Sequence, residues 1–230
     1  MLEIQNIKKI YPSNRGLHQL SLVIEPGETV ALVGPNGSGK STSLNIIAGI
    51  LKSNTGMCRI NGLDTLQTET KKHIGFLEES PFFYSNSTVV GFLNFIWLVK
   101  YPDTENGDIF RLLDKFELTA YKTTKIKELS KGLRQRIGII SALMNSPPLI
   151  VLDEPTNGLD TWGILCLKDE LLAIRDKGCI VVLSNHILDF VKDVCSRIIF
   201  LKEGYVQEDL SNNAAVNLDE VYRRVYSPQN

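Results

Sequence analysis

The sequence predicts an α/β fold with a mainly parallel sheet, a strand-rich opening stretch and a helical insertion, on three observations. Gly-Pro-Asn-Gly-Ser-Gly-Lys-Ser at 34–41 directly follows the apolar run Thr29-Val30-Ala31-Leu32-Val33, as when a buried strand leads through a glycine-rich turn into a helix. Leu149-Ile150-Val151-Leu152 is an unbroken branched apolar run closed by Asp153-Glu154, the composition of a central parallel strand buried on both faces. After Pro147-Pro148, strand-like and helix-like patterns alternate, as parallel crossovers require.

The elements follow in chain order. Leu2 to Ile7 alternates with period two, Leu20 to Ile24 follows, and the turn Glu25-Pro26-Gly27-Glu28 feeds the strand at 29–33. A helix is expected from Lys40 to Leu51, then strands at Met57–Ile60 and His73–Leu77 around the turn Asn61-Gly62. From about Ser80 to Ser146 the pattern turns helical. Ser87-Thr88 suits a cap for a helix through Tyr101, and Ile109, Leu112, Leu113 and Phe116 share one face of a second. Ser130 suits the cap of a third helix reaching Met144. Strands at 149–153, 179–184 and 197–202 then alternate with helical stretches at 161–177 and 187–195, and 218–226 suits a short helix.

Composition narrows the function classes. The 230 residues carry 25 Lys+Arg against 26 Asp+Glu, a balance that disfavours a general nucleic-acid binder. The four cysteines are widely spaced, with no C-x-x-C pair, and read as reduced thiols rather than a metal site. No basic-then-apolar leader opens the sequence, and the longest apolar stretch, Val89 to Val99, is about half of what spans a bilayer.

The chemistry is concentrated at two places. Glycines at 34, 37 and 39 let backbone amides close around a polyanion without a Cβ in the way, and the following helix presents its positive dipole end to the same charge. Lys40 is then placed to reach the β- and γ-phosphates of a nucleotide and the Ser41 hydroxyl to ligate Mg2+. At the second place, Asp153 offers the hard oxygen ligand that Mg2+ prefers, and Glu154 suits a general base for an attacking water.

Taken in order, these residues and several others resemble the ATP-binding cassette (ABC) ATPase subunits over essentially the whole chain. Leu129-Ser130-Lys131-Gly132-Leu133 is similar to the family's signature segment, and Asn157-Gly158-Leu159-Asp160 to its D-loop. His186 resembles the switch histidine, Glu79 falls where a Q-loop glutamine is usual, and Tyr11 matches the aromatic that stacks on adenine. The resemblance implies a P-loop NTPase core with an antiparallel β-subdomain and an inserted α-helical subdomain. Its divisions are core at 1–79 and 147–210, helical subdomain at 80–146 and tail at 211–230. It also implies a site built from two cassettes. Tyr11, Gly34, Asn36, Gly37, Ser38, Gly39, Lys40, Ser41 and Thr42 of one would bind ATP. Ser41, Glu79 and Asp153 would hold Mg2+; Lys40, Glu154 and His186 would act in hydrolysis. Ser130 and Gly132 of the second cassette would close on the γ-phosphate.

Two positions depart from the family pattern. Lys131 and Leu133 replace the usual glycine and glutamine of the signature, in a form that exporter-type members also carry. Glu79 brings a carboxylate in place of an amide; at about 5 Å from another anion its repulsion is roughly 3 kcal/mol at an effective dielectric near 20, and we expect it to couple hydrolysis to a membrane partner. The expected function is the ATPase subunit of an ABC transporter, an exporter resembling those for antimicrobial peptides, drugs or polysaccharides. It would be peripheral on the cytoplasmic face of the cell membrane, with a separate transmembrane permease and a second cassette, identical or paralogous, as partners and no nucleic acid expected. Part of the aromatic cluster at 81–84 and 92–97 would form the permease-facing groove and most of it internal core. The competing readings are a soluble cassette ATPase acting on nucleic acid or ribosomes, and a nucleotide sensor without turnover.

Overall fold

Strands β3 (Thr29–Val33), β7 (Leu149–Leu152) and β8 (Ile180–Ser184) are buried along their whole length, as unbroken apolar runs require of strands covered on both faces. The computed structural model, which describes residues 1–104, 108–213 and 216–227, joins them in parallel with β6 (Ile74–Leu77) and β9 (Arg197–Lys202) in the order β9-β3-β8-β7-β6. Leu32 pairs with Ser184, Leu183 with Leu152, and Leu152 with Leu77. This register ends β3, β8, β7 and β6 along one edge, where Gly34, His186, Asp153 and Glu79 follow their strands.

The opening stretch pairs antiparallel. β1 (Leu2–Ile10) lies between β2 (Gly16–Ile24) and β4 (Thr55–Ile60), and β5 (Leu63–Asp64) closes that side. β1 runs past the expected end at Ile7 because a register shift between Ile4 and Ile7, with Asn6 at φ 47°, restores the pairing. A strand not anticipated, β10 (Tyr205–Ser211), runs antiparallel to β9 and pairs Tyr205 with Gln19 of β2, linking the two halves into a ten-stranded sheet.

Helix α1 (Lys40–Ile47) stops short of the expected Leu51: Gly49 adopts φ +67°, and the amides of Ile50 and Leu51 both return to the Asn45 carbonyl. In the helical stretch, Thr88 caps α2 (Val89–Lys100) by accepting from the Gly91 amide, and α3 (Asp108–Lys115) buries Ile109, Leu112 and Leu113, with Phe116 just beyond. Ser130 caps α4 (Lys131–Leu143), accepting from the Leu133 amide at 3.3 Å. α5 (Thr161–Asp176), α6 (Leu188–Val194) and α7 (Leu218–Tyr226) follow. The expected helical zone and tail include 105–107, 214–215 and 228–230, which lie outside the described residues.

Two cores cover the sheet. Ala31, Val33, Ile150 and Leu152 face one with α2 to α7; Val30, Leu32, Leu149 and Val151 face the other with α1 and the antiparallel strands. The period-two alternation of β3 and β7 thus divides each strand between both cores. All four cysteines are free and buried.

Candidate nucleotide site

The turn from β3 into α1 is shaped by close approach. A Cβ on Gly34 would run into the Leu201 carbonyl oxygen and the Ser38 hydroxyl, and Gly39 holds φ +105° as the residue before α1. No side chain caps this helix, so its first amides stay open to an anion. Lys40 folds back across the loop, its Nζ donating to the Gly34 oxygen at 2.7 Å and the Pro35 oxygen at 3.2 Å. Ser38 is buried; its backbone oxygen accepts from the Gly204 amide at 3.0 Å, while its hydroxyl has no partner among the described residues.

These residues open into a cleft of about 380 Å³. It gathers Tyr11, Asn36, Gly37, Gly39, Lys40, Ser41, Thr42 and Glu79, together with Arg15 and Gly16, which sequence reasoning did not single out. Arg15 is set beside Tyr11 by a tight turn in which the Tyr11 amide donates to the Arg15 carbonyl at 2.9 Å. A cation four residues after an aromatic, at a hairpin, was the available signal.

The acidic strand end lies outside the cleft lining, on the same sheet edge. Asp153 is 4% exposed and accepts from the Ser184 hydroxyl at 2.5 Å. The same hydroxyl oxygen accepts from the Glu154 amide at 2.9 Å. Glu154 sits at φ 48°, and its Oε2 is 2.8 Å from His186 Nδ1. An ionised carboxylate only accepts, so Nδ1 is the donor in this contact. The residues on either side of His186 are anchored: Asn185 Nδ2 donates to Thr156 Oγ1 at 3.0 Å, and Asn185 Oδ1 accepts from the Ile187 amide at 2.8 Å. Ser184, Asn185 and Thr156 are residues the sequence reading missed; the polar step Ser-Asn-His after an apolar run marked the place.

Ser130 and Gly132 stand apart from this chain's cleft. Gly132 packs on the D-loop backbone so tightly that a Cβ would lie 2.6 Å from the Gly158 oxygen. Arg136, one turn along α4, donates from Nη2 to both Asp160 carboxylate oxygens at 2.7 and 2.9 Å, and Asp160 also caps α5 through the Gly163 amide at 2.8 Å. The Gly163 amide, followed by Arg136, holds the Asp160 carboxyl below the usual carboxylate range. Gln135 donates to the Pro155 carbonyl at 3.2 Å. These contacts tie α4 to the turn that leads into α5.

Among the described residues no group of three or more His, Cys, Asp and Glu side chains is gathered to hold a metal by itself. The Ser41 hydroxyl and Glu79 carboxylate at the cleft and the Asp153 carboxylate at the strand end are hard oxygen donors. They fit Mg2+, which binds through a few protein oxygens and completes its shell with phosphate and water.

The family profile described as "ABC transporter" matches residues 17–157. The lantibiotic transport ATP-binding protein SrtF of Streptococcus pyogenes is 33% identical over 222 residues, covering 96% of each chain. The SkfA peptide export ATP-binding protein SkfE of Bacillus subtilis (strain 168) is 30% identical, over 91% of this chain and 89% of its own. Among solved structures, the dimeric post-hydrolysis state of an ATP-binding cassette bound to ADP and Pi is similar with a TM-score of 0.80 and 29% identity, over 93% of this chain and all of that one. With its nucleotide cleft, acidic strand end and full-length likeness to such cassettes, the chain belongs to the ATP-binding cassette (ABC) transporter family, as an ABC ATPase.

Proposed function

We propose that this ATPase drives export through a separate transmembrane permease, from the cytoplasmic face of the membrane, with peptides as the cargo class. Relatives named for lantibiotic transport and peptide export support the direction and cargo. No helix among the described residues is long and apolar enough to cross a membrane, so the translocation path is assigned to the partner. The observation that carries the chemistry is the single sheet edge on which the phosphate loop, Asp153 and the Glu154–His186 pair all end.

In this reading Tyr11 stacks on adenine, and the segment Gly34 to Thr42, with Asn36, Gly37, Ser38 and Gly39, wraps the phosphates. Lys40 exchanges its loop carbonyls for phosphate oxygens. Ser41, Asp153 and Glu79 hold Mg2+, which when bound neutralises phosphate charge. Glu154 orients and deprotonates water, and His186, donating from Nδ1 to Glu154, presents Nε2 to the γ-phosphate, to which it donates when that nitrogen also carries a proton. The cage is closed by Ser130 and Gly132 of a second cassette, for which a second copy of this chain suffices; the dimeric cassette above supports such a pairing.

The core at 1–79 and 147–210 and the helical subdomain at 80–146 meet at a groove of about 460 Å³ lined by Phe76, Phe82, Phe83, Ile96, Val99 and Lys100. Phe82 is 73% exposed, and Tyr84 packs edge-on to Phe82 and Phe95; such a patch suits a short permease helix. Phe92 and Trp97 are buried instead, as internal core. Burial lowers Lys100 to about 8, and its Nζ donates to the Ile74 carbonyl at 2.7 Å. The test is phosphate release by the purified chain with ATP and Mg2+, alone and with its copurifying permease. Stimulation by the permease is expected; a protein that neither retains nucleotide nor releases phosphate contradicts the reading.

A further inference from the structure

Helix α7 ends against the strand that feeds the phosphate loop. The Tyr226 hydroxyl lies 2.9 Å from the Val33 carbonyl oxygen and 2.9 Å from that of Leu201. Val33 directly precedes Gly34, and the Leu201 oxygen is the atom Gly34 approaches too closely for a side chain. Val33 also pairs with Phe200 at the last position of the β3–β9 ladder. The hydroxyl therefore sits in the seam between the two strands, where backbone pairing stops and the loop begins. Its single proton serves two carbonyls, shared or in alternation.

The rest of α7 holds that hydroxyl in place. Leu218 and Val221 are buried in the main core, the Tyr226 ring packs on Tyr222 and Phe200 at centroid separations of 4.6 and 6.3 Å, and Lys202 Nζ donates to the Val225 carbonyl at 3.1 Å. Burial raises the Tyr226 phenol pKa, keeping it a donor. The opposite flank of the loop is braced separately, by the Gly204 amide on the Ser38 carbonyl.

We propose that Tyr226 is a positioning residue for nucleotide binding: α7 straps the β3–β9 seam and sets the phosphate loop, so ATP affinity and α7 docking are coupled. The coupling is reciprocal, because two sites biasing one element must bias each other equally. It rests on the phosphate loop being the ATP site, which binding by the unaltered protein tests separately.

Tyr226→Phe in the full chain keeps the ring and removes only the hydroxyl. Titration with a fluorescent ATP analogue is expected to show binding weakened about 3–10-fold, the scale of one net hydrogen bond. The kcat at saturating ATP stays within about twofold, as for lost ground-state binding, and amides of 34–40 exchange faster with solvent. Tyr222→Phe, a hydroxyl removed one turn earlier, leaves the affinity at the wild-type value. In the unaltered protein, saturating ATP slows exchange of the α7 amides, a readout that needs no variant should Tyr226→Phe fail to fold. Unchanged affinity in Tyr226→Phe, equal weakening in Tyr222→Phe, or α7 exchange indifferent to ATP overturns the proposal. Absence of ATP binding by the unaltered protein overturns the nucleotide reading itself, and this inference with it.

Discussion

Glu154 Oε2 and His186 Nδ1 lie 2.8 Å apart, across the ends of two strands that are neighbours in the sheet. The carboxylate is thus both the candidate base and the group that orients the ring of the candidate phosphate sensor. Glu154→Gln is expected to lower phosphate release about 10²–10⁴-fold, the usual worth of a general base. Nucleotide affinity should change little, because Glu154 lies outside the cleft lining. Single-turnover hydrolysis beside an ATP titration separates the two effects.

Ser184 spans both acids, donating to Asp153 and accepting from the Glu154 amide. Ser184→Ala leaves a 4%-exposed carboxylate and its neighbour's amide without that partner, at a cost of about 1–3 kcal/mol. A lowered denaturation midpoint should be accompanied by a higher Mg2+ concentration at half-maximal rate. A stability loss with an unchanged Mg2+ requirement would separate the serine from the metal.

The Arg136–Asp160 pair predicts an asymmetry. Removing the acid takes the nearer carboxylate from a guanidinium that is only 7% exposed, leaving it Glu117 at 3.3 Å and the Phe116 carbonyl at 2.9 Å, whereas removing the base frees carboxylates that are 66% (Asp160) and 59% (Glu117) exposed and served by water. Asp160→Ala, which also loses the α5 cap, should therefore cost more than Arg136→Met, about 2–3 kcal/mol against about 1–2 kcal/mol in chemical denaturation. Asp160 also carries a pH signature: its folded pKa is depressed, so the stability it contributes is complete above the ordinary carboxylate range. That contribution is lost as pH falls through the lower folded value. Glu170 shares it, because although burial raises its pKa, hydrogen bonds from Arg111 and Lys115 bring it down on balance. Denaturation midpoints should fall on acidification, less steeply in Glu170→Gln.

Glu79 shares the cleft with Lys40 and Ser41. With magnesium chelated, its charge opposes the triphosphate, so Glu79→Gln should tighten metal-free ATP binding severalfold, well within the roughly 3 kcal/mol bare repulsion. In the assembled transporter the same change is expected to alter cargo moved per ATP. Unchanged hydrolysis and transport would remove the coupling role.

How much of this was legible depended on burial. β3, β7 and β8 stand out because every residue in them is buried, which forces continuous apolar runs. β10 was missed because none of its residues is buried; a strand held by backbone pairing and by surface ion pairs such as Arg197–Asp209 and Arg224–Glu208 leaves no hydrophobic pattern. The phosphate loop is local in sequence, so its glycines and Lys40 could be read together. The supports are not local: Ser184 reaches Asp153 across 31 residues, Arg136 reaches Asp160 across 24, and Tyr226 reaches Val33 across 193. Each resembles ordinary turn, helix or tail chemistry until the register brings it to the edge.

A working site is expected to take its phosphate loop from one chain and its signature segment from another. Lys40→Ala disables the first; Ser130→Asp keeps a good helix cap while placing negative charge where phosphate must bind. Each variant alone should release almost no phosphate. Mixed in equal amounts, half of the dimers pair unlike chains with one intact site each, so activity should return to about a quarter of wild type. A mixture as inactive as its components, or a fully active Ser130→Asp protein, would contradict the account.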